Sequence, residues 1–210
     1  MRALWLLVLW ALVAPCLALA SDLPRVPPQS AMYRLWVEQA VAEEWGLQAS
    51  PARLAAQLHQ ESAWNPRARS HAGAQGLAQF MPATAQWIAQ RFPERLGAYD
   101  PWDPRQAILA AAVYDRWLYD RNPAATECDR WAFALAGYNG GEGWLRRDQR
   151  LAAAAGDDPL RWWGNVERHT GRAGWAKREN RGYVHRILRQ LEHAYVRAGW
   201  PGVPVCEVQA

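Results

Sequence analysis

Glu61 and Ser62 close a short amphipathic segment, and the turn-rich stretch after them ends in Gly76-Leu77-Ala78-Gln79-Phe80-Met81-Pro82. A carboxyl carried to the lip of a helix and faced by a glycine-kinked polar loop can hold one acid over a groove, which points to sugar chemistry. Glu61 lies three residues after Leu58 and seven after Leu54, so on a helix it shares their inward face. Partial burial and the negative end of the helix dipole both disfavour an anion there. The spacing therefore predicts a raised pKa and a proton donor near neutral pH, although by itself it also fits an ordinary helix-end residue.

Other residues could complete such a groove. Ser62 can orient the carboxyl or a ligand, and Gln79 offers a donor and an acceptor suited to hydroxyl or acetamido groups. Met81 and Phe80 have the spacing of core residues. Tyr138-Asn139-Gly140-Gly141 reads as a helix end with a phenol that can bond the acid, and Glu179 and Tyr183, four apart, share a helical face. His59 falls on another face from Glu61 and reads as an exposed residue. There is no Gly-x-Ser-x-Gly elbow, no His-Glu-x-x-His, no phosphate loop and no metal-ligand spacing, so no cofactor or metal is implied.

The elements that must position these residues are helical. Residues 21–30, with Pro24, Pro27 and Pro28, read as an extended lead-in. Helices are expected from Ala31 to Trp45; from Pro51, capped by Ser50; from Pro82 to before Pro93, with Trp87 and Ile88 inward; and from Pro104, capped by Asp103, to before Pro123. Asp129 reads as the cap of a helix reaching Tyr138. Residues 142–155 continue helically, 156–178 are irregular, and a last helix spans Glu179 to Arg197.

Composition bounds the setting. Arg2 followed by an apolar run from Leu4 to Val13 and by Ala18-Leu19-Ala20 reads as a secretory signal cleaved near Ala20, giving a periplasmic or secreted product without a stable membrane span. Without residues 1–20, 23 basic and 20 acidic residues give a net charge of +3, and 12 tryptophans remain. Arg146, Arg147 and Arg150, and Arg172, Lys177, Arg178 and Arg181, read as a solvated basic face. No nucleic-acid-binding signature accompanies them. Cys128 and Cys206 can form one disulfide that pins the tail, 201–210.

Four motifs in order carry a family resemblance: Glu61-Ser62; Gly76-Leu77-Ala78-Gln79-x-Met81-Pro82-x-Thr84-Ala85; Ala136-Gly137-Tyr138-Asn139-Gly140-Gly141; and Glu179-Asn180-Arg181-Gly182-Tyr183-Val184. Over residues 31–200 the chain resembles the soluble lytic transglycosylase (SLT-type) catalytic domain of the lysozyme-like superfamily. Ala78 stands where a methionine is common, and Gly137 and Gly140 where alanines are common. The stretch 156–184, with Trp162-Trp163-Gly164-Asn165-Val166, looks like a variant of phage-derived members.

The resemblance implies a mainly α, single lysozyme-like domain of goose-type/SLT form with a substrate groove. It implies Glu61 as the single catalytic acid and base, with Ser62, Gln79, Met81, Tyr138, Asn139, Glu179 and Tyr183 at the groove. The partner implied is peptidoglycan, cut at the MurNAc-β-1,4-GlcNAc bond with a 1,6-anhydro end. Two rivals stay open: a goose-type muramidase that hydrolyses the bond, and an inactive wall-binding protein. Ordinary glycosidases pair two carboxylates. Asp100, Asp103 and Glu142 are the candidates for a second one, each with a local explanation as turn, cap or loop residue.

Overall fold

In a computed structural model, residues 23–207 are described. A 3-10 turn, Pro28–Tyr33, leads into α1 (Arg34–Trp45), α2 (Pro51–Ser62), α3 (Pro82–Arg91) and the short α4 (Pro93–Leu96). Then follow α5 (Pro104–Arg121), α6 (Glu127–Gly140), α7 (Glu142–Ala154), a 3-10 turn Val166–Arg168 and α8 (Gly174–Arg186). A π-helical stretch, Ile187–Leu191, joins α8 to α9 (Glu192–Arg197). The domain is all-helical among the described residues, where only isolated bridges within the 65–81 loop show β pairing.

The hub is α6. Ala132, Phe133, Ala134 and Leu135 are consecutive and fully buried, the mark of a helix covered on all sides. It packs against α5, α7 and α8, while α1 covers α5 and α2 lies against the π-helical stretch and α9. Small residues let these axes approach: Ala107, Ala110, Ala111 and Ala112 are buried along α5. A Cβ at Gly137 would come within 3.1 Å of Leu118, so glycine there brings α5 and α6 together.

Several local expectations change. Thr126, not Asp129, caps α6: its backbone is extended and its hydroxyl oxygen accepts from the Asp129 N–H at 3.1 Å. Asp129 lies inside the first turn, where its buried carboxylate accepts from the Trp162 N–H at 2.9 Å and anchors the irregular stretch. Ser50 precedes α2 as expected but makes no side-chain cap, because its hydroxyl donates to the fully buried Glu192 at 3.2 Å. Asp103 does cap α5, accepting from the backbone of Arg105 and Gln106. Ile88 is buried, but Trp87 is 36% exposed, leaning on Phe92, Tyr114 and Trp117 rather than entering the core. The lead-in turns helical at Pro28, and the last helical run begins at Gly174, five residues before the expected start.

Cys128 and Cys206 are bonded, with Cα atoms 5.1 Å apart across 78 residues of sequence. Closing a loop of that length stabilises the fold by about 4–5 kcal/mol in the chain-entropy picture. The bond draws the tail onto α6, where the Arg189 guanidinium also donates to the Glu207 carbonyl. The expected signal sequence, residues 1–20, and the last three residues of the tail lie outside the described residues.

Candidate active site

The end of α2 is fixed by backbone that L-residues rarely adopt. Ala63 and Trp64 follow Glu61-Ser62 with φ of 48° and 67°. Left-handed backbone costs roughly 1–2 kcal/mol per residue, and here the Trp64 side chain holds it. The indole is 2% exposed, stacks on Tyr33 with centroids 5.6 Å apart, and donates its N–H to the Tyr195 hydroxyl at 2.5 Å. Glu61 is therefore carried on a helix end that cannot fray without withdrawing a buried tryptophan.

Glu61 is half-buried at the end of α2. Its Oε1 accepts from the Tyr183 hydroxyl at 2.5 Å, a bond from α8 to α2. Burial pushes the carboxyl up to about 8; the Tyr183 bond opposes this, and the nearby carboxyls of Asp115 and Glu179 raise it to the extent that they ionise. A carboxyl so placed is protonated at neutral pH and can donate. The sequence expectation of a raised pKa thus has its main cause in desolvation.

The facing loop is built around Gly76, whose φ is +73° and whose Cβ, if present, would stand 1.8 Å from the Pro101 carbonyl oxygen. Gln79, also left-handed at φ 50°, gives its side-chain N–H groups to the carbonyls of Gly76 (2.8 Å) and Ala68 (3.1 Å). Its donors shape the loop, which leaves the amide oxygen for a ligand. The Tyr138 hydroxyl donates to the Ala78 carbonyl at 2.8 Å, so the phenol that bonds the acid is Tyr183 and Tyr138 instead ties α6 to the loop. Tyr138 rests on Phe80 and Tyr114. Phe80 is buried as expected, whereas Met81 is 42% exposed.

The remaining expected site residues divide. Ser62 turns back to the Leu58 carbonyl at 3.2 Å and does not hold the carboxyl. The Asn139 side-chain oxygen accepts from Asn180 at 2.9 Å. Glu179 is exposed and within electrostatic reach of Glu61. His59 is half-buried, edge-on to Tyr195, rather than exposed; burial, then Arg186, lowers its pKa. Asp100 and Asp103 serve the turn and cap before α5, and Glu142 pairs with Arg121 and Arg146. Among the described residues, no group of three or more His, Cys, Asp or Glu could hold a metal.

Two of the residues read as a solvated basic face point inward. Arg172 and Arg181 each reach Asp148, 0% exposed, at 2.9 Å, and both donate to the Asn180 side-chain oxygen. Gly140 makes room for this network, since a Cβ there would meet Arg172 at 2.3 Å and Asn180 at 2.9 Å. Asp115, Asp148 and Glu192 were not singled out from the sequence. The first two carry a legible signal: Asp148 falls between buried Leu145 and Ala152, and Asp115 between buried Ala111 and Leu118, at helical spacings.

A helical lysozyme-like domain is the class that this fold defines, with Glu61 at the end of α2 bonded to Tyr183 of α8. The chain belongs to the Transglycosylase SLT domain family, whose model matches residues 39–160, more than half of it; the Glu179–Val184 motif lies beyond that range. It is similar to a membrane-bound lytic murein transglycosylase F of Maricaulis maris, 40% identical over 142 residues, covering 66% of this chain and 28% of the relative. The relative of the same name from Pasteurella multocida is 41% identical over 110 residues, 52% of this chain and 21% of its own. Among solved structures, the 70 kDa soluble lytic transglycosylase of Escherichia coli superposes with a TM-score of 0.57 at 25% identity, over 82% of this chain and 25% of that one. The chain thus spans under a third of the length of these relatives.

Proposed function

We propose that this domain cleaves the β-1,4 bond between N-acetylmuramic acid and N-acetylglucosamine in peptidoglycan, leaving a 1,6-anhydro-muramic end. The observation that carries the reading is the Glu61 carboxyl at the end of α2, raised to about 8 and bonded to Tyr183, in a chain of the SLT family. Protonated Glu61 donates to the glycosidic oxygen as the bond breaks. The carboxylate it becomes, kept basic by the same burial, takes the proton of the muramic C6 hydroxyl as that oxygen closes on C1. One group serves as acid and then base, and the Tyr183 hydroxyl stabilises the carboxylate between the two steps.

Tyr138 holds the loop that forms the opposite wall, and the Gln79 amide oxygen, Met81 and Glu179 are proposed to contact the glycan, with Ser62 and Asn139 positioning the ends of α2 and α6. Secretion with cleavage near Ala20, to the periplasm or beyond, supplies access to the wall and accords with relatives named as membrane-bound. No helix among the described residues is long and apolar enough to cross a membrane.

The exposed carboxylate of Glu179, which could direct a water, favours hydrolysis as the second reading. Glu61→Gln should reduce lysis of purified walls about a thousandfold or more; retention of lysis would overturn the assignment. Products made in heavy-oxygen water then separate the two chemistries. Anhydro ends without solvent oxygen support the transglycosylase, and labelled reducing ends support the muramidase.

A further inference from the structure

Asp115 is a buried carboxyl that the reaction above does not use. It stands on α5 at 2% exposure and accepts from the Gln57 side-chain N–H at 3.1 Å. Gln57, fully buried, lies on α2 one helical turn before Glu61. The other half of that amide is unbalanced, because Gln57 Oε1 is buried and meets no donor among the described residues. An ionised carboxylate has only acceptors to offer a carboxamide, whereas a protonated carboxyl offers one donor and one acceptor, matching both halves. Turning the amide over leaves the same need, since its carbonyl would then face the carboxyl.

We propose that Asp115 is held as the neutral acid in a two-point acid–amide pair with Gln57, its O–H donating to the amide carbonyl, and that this pair is a positioning support which keeps a second negative charge away from Glu61. The groups that face Asp115 are Arg53 and Glu61 from α2, Tyr114 from its own helix, Tyr138 from α6 and Tyr183 from α8. Arg53 is the cation that would favour the ionised form, but it is engaged by Glu192 at 2.9 Å and lies over the Trp131 ring at 4.4 Å. Burial raises the Asp115 carboxyl to about 8 against the pulls of Gln57 and Arg53. A charge on Asp115 is one of the causes that raise Glu61, so the neutral pair keeps Glu61 able to give up its proton.

The protonation state does not depend on the reading of the reaction; the support given to Glu61 does. A Glu61→Gln background removes the other raised acid, and Asp115→Asn placed in it preserves two-point pairing as an amide–amide contact without a titrating proton. In the Glu61→Gln background the unfolding constant should rise about tenfold per pH unit between roughly pH 4 and 8, and Asp115→Asn should abolish that slope. The infrared carbonyl band of a protonated carboxylic acid should be present at pH 7 in the single variant and absent from the double. Equal slopes, or no such band in the single variant, would overturn the pair, and the band decides alone if the double variant does not fold. With Glu61 intact, Asp115→Asn, neutral like the acid it replaces, should leave the alkaline limb of the lysis profile in place; a limb moved toward acid pH would mean that Asp115 carries a charge beside Glu61 and would overturn the support. Hydrolytic products with the band intact would instead overturn only the proposed reaction.

Discussion

Asp148 and Glu61 are both carboxyls taken out of water, and the fold surrounds them differently. Asp148 meets two guanidiniums at 2.9 Å each, those of Arg172 and Arg181, which are themselves largely buried. Glu61 meets one neutral phenol at 2.5 Å, with no cation among the causes of its shift and two further carboxyls within reach. Burial with cations makes a structural ion pair, while burial without them makes an acid that keeps its proton at neutral pH. The difference is between a group that joins α7, α8 and the irregular stretch and a group left free to react.

Removing the Asp148 charge is the largest perturbation expected of the fold. Asp148→Asn leaves Arg172 and Arg181 facing each other without a counter-ion, and should destabilise the domain by about 3–5 kcal/mol, read from denaturant midpoints. The opposite sign is expected at Glu61. Glu61→Gln should stabilise the fold by about 3 kcal/mol at pH 7. The folded carboxyl titrates at about 8, above its ordinary 4.5, so what it contributes to stability is full below 4.5 and is lost as pH rises to 8. The gain should therefore vanish near pH 4, and a gain of equal size at both pH values would mean that the carboxyl is not the cause.

Helical spacing read Glu61 correctly as an inward carboxyl because its position on α2 is set locally, by Leu54 and Leu58 on the same face. The same logic placed α5 through the Asp103 cap and the end of α3 before Pro93. It failed where a side chain's partner lies far along the chain. Ser50 was diverted from capping by Glu192, and Arg172 and Arg181 were turned inward by Asp148. Tyr138 and Tyr183 could each be assigned to a helix, but which phenol reaches Glu61 depends on packing across 122 residues of sequence. The four motifs marked the candidate residues; their hydrogen bonds came from tertiary structure.

A smaller effect separates the two tyrosines. Tyr183→Phe removes the bond that opposes the raised pKa, so Glu61 should titrate higher and the alkaline limb of lysis should move upward, with a loss of rate of about tenfold. Tyr138→Phe should leave that limb in place, since its hydroxyl serves the Ala78 carbonyl. Identical shifts in both variants would erase the distinction between holding the acid and holding the loop.

The most direct measurement is the titration of Glu61 itself, followed by carbon-13 NMR of glutamate labelled at the side-chain carboxyl, with Glu61→Gln identifying its resonance. A midpoint near 8 is expected, well above the ordinary glutamate values around 4.5. A Glu61 midpoint among those ordinary values would contradict the claim that burial without a cation makes it a neutral acid.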